Sequence, residues 1–258
     1  MKSINILAIM VTFLFSNCAT TRCVKDGHLF PSGHELSAAF KNAGTHPGTW
    51  IPLLGATAVA VGGWDRDISE WAVQEEPIFG SYNGKQDPGD ILSLSAHIGM
   101  LATSLAVQDN DSLWLCSLTR RLIWEHLGVI AAARLVDPVR RYTDRDRPHG
   151  GKRSFPCWHA TKTAAYVGMA NRNIQATNFS PFYKYSTQFI LTSIALGSGW
   201  ARIEANEHYP TDALFGMALG NFVAILVHDA FLIDNNNNDL TLIIDGHGRI
   251  SIGFVMAF

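Results

Sequence analysis

Apolar residues concentrate in six long stretches separated by polar ones. Asn42 to Trp64 carries no Asp, Glu, Lys or Arg and holds the run WIPLLGATAVAVGGW. Ile91 to Gln108 is free of those charges as well. Residues 112–136 put Leu113, Leu115, Leu118, Leu122, Ile123, Leu127 and Ile130 on one broad stripe at helical spacing. His159 to Ala170, Tyr185 to Ala201 and Ala213 to Val227 complete the set. Residues 19–46 read as a polar, turn-rich linker, 65–90 as a charged connection and 137–158 as a basic, Pro-containing loop. No repeat of 20–50 residues interrupts this pattern.

The charge-free stretches approach the roughly 20 residues that cross a bilayer. Gly, Ser, Thr, Gln and His dilute them, and a helix that is apolar all round is equally a buried core helix. A compact, membrane-associated bundle is expected, with integral insertion open. The tail changes period. After Asn235 to Asn238, the runs LTLII and RISIGFVMAF flank Asp245-Gly246 and read as a hairpin. The fold class is therefore mainly α: a helical bundle of about six helices with a short C-terminal β-hairpin over 239–258.

The first residues carry an address. Lys2 followed by the apolar stretch Ile4 to Phe15 has the form of an export signal over 1–17. Cys18 comes next, where a bacterial lipoprotein is acylated after cleavage. Phe15 and Asn17 depart from the usual Leu-like residue and small residue before that cysteine. An uncleaved membrane anchor is the alternative. Both place the protein in the bacterial cell envelope, on the periplasmic side, anchored by lipid or integral.

Composition narrows the function. Hydrophobic residues make up 47% and charged residues 16%, which excludes disorder as the dominant state. A net charge of -2 leaves no footprint for nucleic acid. The four cysteines are too few for a disulfide scaffold and form no C-x-x-C pair.

Three separated motifs carry candidate chemistry. In VRRYTDRDRPHG, Arg140, Arg141, Arg145 and Arg147 crowd together, and guanidinium forks match phosphate oxygens. A solvated basic loop is the plainer alternative. In SFPCWHATKTAA, His159 sits at the start of an Ala-rich helix, where free N–H groups bind anions. In GWARIEANEHYPTDALFG, Arg202, His208 and Asp212 are spaced R-x5-H-x3-D. An Asp four residues after a His reaches its ring across one turn, fixes the tautomer and makes the other nitrogen a competent nucleophile. No HxH, H-E-x-x-H or carboxylate cluster for a metal is present in the sequence. The C-x5-R spacing of cysteine phosphatases fails, because the required position is Thr163.

The order and spacing of these motifs resemble the type 2 phosphatidic acid phosphatase superfamily, which holds lipid phosphatases, class A acid phosphatases and vanadium haloperoxidases. Its pattern is K-x6-R-P, then P-S-G-H, then S-R-x5-H-x3-D. The resemblance covers roughly 90–230 and makes 47–234 a helical phosphatase domain behind the 18–46 linker. It implies His208 as the nucleophile, Asp212 as the residue that orients it and His159 as the general acid. It implies Arg140, Arg147 and Arg202 as the phosphate clamp, with Cys157 and Trp158 at the positions of the motif Ser and Gly. It implies no cofactor and a phosphorylated lipid or small phosphoester as substrate. Arg140 stands for Lys, Ala201 for Ser, Cys157 for Ser and Trp158 for Gly. If the backbone needs positive φ at Trp158, that side chain is costly. A non-catalytic phospholipid-binding descendant and a vanadate-dependent haloperoxidase are the alternatives. Residues 31–34 also spell Pro-Ser-Gly-His, but before the arginine loop and out of the motif order.

Overall fold

The computed structural model describes residues 30–80, 87–107, 114–232, 240–244 and 250–254. The described residues are mainly helical. Their eight helices are α1 (Gly33–Thr45), α2 (Pro47–Gly62), α3 (Asp65–Glu75), α4 (Pro88–Ala106), α5 (Trp114–Thr143), α6 (Trp158–Ala176), α7 (Pro181–Glu204) and α8 (Pro210–Phe231). The expected export signal over 1–17 and the lipidation at Cys18 lie outside the described residues. Residues 240–244 and 250–254 pair as antiparallel strands with Leu240 opposite Phe254. The turn expected between them lies outside the described residues, and a hairpin over 239–258 remains an expectation.

Two helices exceed the expected six because their sequences are not apolar stretches. Within the expected linker, α1 starts on a capping box: Ser32 Oγ accepts from the Glu35 amide, and Glu35 Oε2 accepts from the Ser32 amide at 2.6 Å. Its Ala39 and Ala43 are buried, and Phe40 packs edge-on to Phe222. Within the expected connection 65–90, α3 has Asp65 and Asp67 in its first turn, where the helix dipole favours them. It buries only Ser69 and Ala72. The third correction is the basic loop. α5 continues through Pro138 to Thr143, although an interior Pro costs about 3 kcal/mol. The last turn is tied down from outside: Arg140 Nε donates to Pro156 O and Thr143 Oγ1 to Phe155 O.

α6 and α8 form the centre of the bundle, and they meet backbone to backbone. A Cβ on Gly220 would stand 2.1 Å from Thr161 O, and one on Gly216 2.7 Å from Cys157 O. Only glycine permits this approach. α4 and α7 flank α6, while α1, α2 and α5 flank α8. The N-terminal ends of α4, α6 and α8 therefore converge. Asp90 of α4 reaches His159 of α6, and the Cys157 amide donates to Asp212 O of α8. The last turns of α5 and α7 deliver Arg140 and Arg202 to the same end.

The outward faces are apolar. Trp50, Ile51 and Leu54 on α2, Ile91, Leu94 and Ile98 on α4, and Phe182, Phe189 and Ile190 on α7 are all exposed. Among the described residues one helix, α8, has the length and composition to cross a bilayer. It is mostly buried by its neighbours, as a core helix is.

Candidate active site

His208 lies in the short turn between α7 and α8 and is 1% exposed. That turn is pinned by its own backbone, since the Glu207 and His208 amides both donate to Arg202 O. Asp212, fully buried in the first turn of α8, approaches His208 Nδ1 with Oδ2 at 3.6 Å. That is ion-pair range rather than a hydrogen bond. Three other groups hold the carboxylate. The Tyr209 amide donates to Oδ2 at 2.9 Å, Ser154 Oγ donates to Oδ2, and Arg145 Nη1 donates to Oδ1 at 2.7 Å. Burial pulls the His208 imidazole down, but the adjoining Cys157 sulfur and the Asp212 carboxylate outweigh it and raise it to about 9.

His159 is the second residue of α6. Its Nε2 lies 3.1 Å from Asp90 Oδ1. Burial lowers its pKa; Asp90 pulls it partly back, while His208 and Arg140 push it further down. The two histidines thus titrate in opposite directions. Around them stand three arginines: Arg140, whose Nε donates to Pro156 O, and two that face carboxylates. Arg202 pairs with Asp87, and its Nη2 lies 3.6 Å from Glu207 Oε2. Arg147 pairs with the same Glu207 oxygen. Burial pushes Glu207 up, but Arg202, Arg147, His149 and His208 outweigh it and hold the carboxyl below its usual range.

Asp87, Asp90 and His159 also bring ligand atoms within 4.8 Å of one another, a group that could hold a cation. All three already have partners: Asp87 is paired with Arg202, and Asp90 and His159 with each other.

Residues 112–234 match the family model described as the PAP2 superfamily. This segment belongs to the PAP2 superfamily. All three motifs fall inside it. A solved structure described as the first transmembrane PAP2 type phosphatidylglycerolphosphate phosphatase from Bacillus subtilis is similar at 19% identity and a TM-score of 0.48, over 75% of this chain and 94% of that one. No curated protein matches.

Within the PAP2 segment the structure gathers His208, Asp212, His159, Arg140, Arg147 and Arg202 at one end of the bundle. Cys157 and Trp158 are there too, with changed prospects. The Cys157 side chain is buried and its amide is committed to Asp212 O at 2.9 Å, so neither is offered to a ligand. Trp158 opens α6 in helical conformation and is absent from the positive-φ residues, so its Cβ meets no backbone penalty. Its indole stands edge-on to His159 at 5.1 Å and carries Lys162 Nζ on its face. The early Pro-Ser-Gly-His does something else. Ser32 caps α1, whose Asn42 bonds Asp229. Asp229 lies about 25 Å along α8 from Asp212.

Sequence reasoning missed Ser154 and Asp65. Asp65 accepts from Arg145 Nη2 and from the Thr211 amide and hydroxyl, and so anchors the start of α8. Arg145, one of the four arginines crowded in the loop, faces two carboxylates. A Ser or Asp without a motif gives no signal of such a role.

Proposed function

We propose that the protein is a metal-independent phosphatase that hydrolyses a phosphomonoester or pyrophosphate through a phosphohistidine. The observation that carries this reading is the convergence of two histidines with three arginines at the N-terminal end of α6. The His208 Nε2 lone pair attacks phosphorus, the N–P bond forms, and the bond to the leaving oxygen breaks. His159 gives that oxygen its proton. A water then attacks the phosphohistidine, His159 takes the water proton, and inorganic phosphate leaves. Arg140, Arg147 and Arg202 neutralise the equatorial oxygens. Asp212 holds His208 in orientation and stabilises its charged form.

The substrate is a membrane lipid phosphate in this reading, and the protein sits on the periplasmic side of the envelope. The exposed aromatic and aliphatic side chains of α2, α4 and α7 support this, because exposed apolar side chains in such numbers suit a lipid or protein interface. Anchoring by lipid on Cys18 belongs to the same proposal, as does a C-terminal hairpin over 239–258.

Phosphate release by the purified full chain in EDTA tests the reading, with an aryl phosphate, phosphatidic acid and an isoprenyl pyrophosphate as substrates. Release that persists in EDTA and vanishes in His208→Ala is expected, with a lipid as the best substrate. Release that requires a divalent cation would sink the metal-independent mechanism and turn attention to Asp87, Asp90 and His159. Folded protein without activity on any of the three would favour a non-catalytic phospholipid-binding role.

A further inference from the structure

Glu207 has no part in the steps above, yet two arginines converge on it, more than on any other carboxylate among the described residues at this end of the bundle. One of its oxygens, Oε2, pairs with Arg147 Nη1 and lies 3.6 Å from both Arg202 Nη2 and His149 Nε2. Arg147 lies in the loop after α5 and Arg202 in the last turn of α7, so the two guanidiniums reach Glu207 from different parts of the chain. The turn holding Glu207 is fixed through its backbone bond to Arg202 O, so the carboxylate is delivered to a defined place. Two planar guanidiniums aimed at one anionic oxygen form the geometry in which arginines bind phosphate.

We infer that Glu207 is an affinity-determining residue of the phosphate site, its carboxylate occupying the Arg147–Arg202 fork in the empty protein and having to yield that place to a substrate phosphoryl group. This rests on the phosphatase reading above. Two consequences follow. Free phosphate binds weakly, because it must displace an anion already paired with two arginines. A phosphoester gains the contacts of its leaving group, which inorganic phosphate lacks, so it meets the same displacement cost with more binding energy to offset it. Glu207 remains beside the displaced position after phosphate binds, and like-charge repulsion at that range persists because both groups are partly shielded from water.

The test is calorimetric titration of inorganic phosphate into the purified full chain and into Glu207→Gln and Arg202→Gln, with melting temperatures recorded without phosphate. Glu207→Gln keeps the shape and removes the charge. Expected is phosphate binding at least about tenfold tighter in Glu207→Gln than in the natural protein, or detectable only there, and lost in Arg202→Gln. A merely structural Glu207 would shift the melting temperature without tightening phosphate. Phosphate affinity unchanged or weaker in Glu207→Gln, with Arg202→Gln still losing it, overturns this inference and leaves the phosphatase reading standing. Binding that Arg202→Gln retains in full, or that none of the three proteins shows, overturns the phosphate site itself and the inference with it.

Discussion

Arg145 Nη1 donates to Asp212 Oδ1 at 2.7 Å, behind the carboxylate that faces His208. The same guanidinium donates through Nη2 to Asp65 at 2.6 Å and lies over the Tyr209 ring at 4.4 Å. The arginine-rich loop thus supplies a residue that holds the orienting carboxylate from the side opposite the imidazole. Arg145→Ala strands a fully buried Asp212 charge, and such losses cost about 3–5 kcal/mol when both partners are buried. Arg145 is 32% exposed, so about 2 kcal/mol is expected after discounting for solvent. Thermal unfolding reads that loss, and phosphate release should fall at least about tenfold. Unchanged release would mean that Ser154 and the Tyr209 amide position Asp212 unaided.

Cys157 controls the alkaline side of the proposed reaction. His208 is raised from 6.5 to about 9, with Cys157 the largest of the groups that lift it. A nucleophilic imidazole must be neutral, so kcat/KM should rise with pH toward that value. Cys157→Ser should move this limb to lower pH. Stability follows the same linkage. A raised folded pKa contributes fully below about 6.5 and is lost as pH rises through about 9. The serine variant should therefore lose its contribution earlier on alkaline titration, as melting temperature against pH would show.

Trp158→Gly is expected to disappoint as a route to higher activity. Trp158 already has helical backbone, so glycine relieves nothing. It removes the edge contact with His159 and the face that carries Lys162. A helix-propensity loss of about 1 kcal/mol adds to this. The melting temperature should drop by several degrees while the rate changes by less than about tenfold. A larger gain in phosphate release would show that the indole obstructs the site.

Gly220→Ala should be among the most damaging conservative changes in the chain. Its Cβ would stand 2.1 Å from the Thr161 carbonyl oxygen, and backbone cannot rotate away as a side chain can. Overpacking of this kind costs about 3 kcal/mol or more. Gly33→Ala, with nothing within 4 Å of the added carbon, is the control and should change stability by less than about 0.5 kcal/mol. Chemical denaturation of the two variants separates them.

The helices legible in the sequence were those whose apolar stretches are long, such as α4 around Ile91 to Ala106 and α8 around Ala213 to Val227. α3 was not legible because it buries only Ser69 and Ala72, too little to set a period. α1 is signalled only by the Ser32 and Glu35 capping pair, set in a polar stretch that reads as linker. The end of α5 was hidden by Pro138, whose local preference is overridden by bonds to Phe155 and Pro156 that lie far along the chain from it. The approach of Asp212 to His208 was legible because four residues separate them, a local spacing. Ser154, Asp65 and the role of Arg145 were not, because each acts across a long sequence separation on a group that the motif alone names.

Of the three helix starts that meet at the site, α4 and α8 carry Asp90 and Asp212 in their first turns, while α6 has no acidic residue there. A helix start carries the equivalent of about half a positive charge on its unpaired amides. That of α6 is therefore uncancelled by its own sequence, at the position where Trp158 and His159 begin. This fraction of the attraction for anions belongs to the main chain. Editing the arginines dims the site, whereas the helix start keeps its sign until an acidic residue enters the first turn or the helix unwinds.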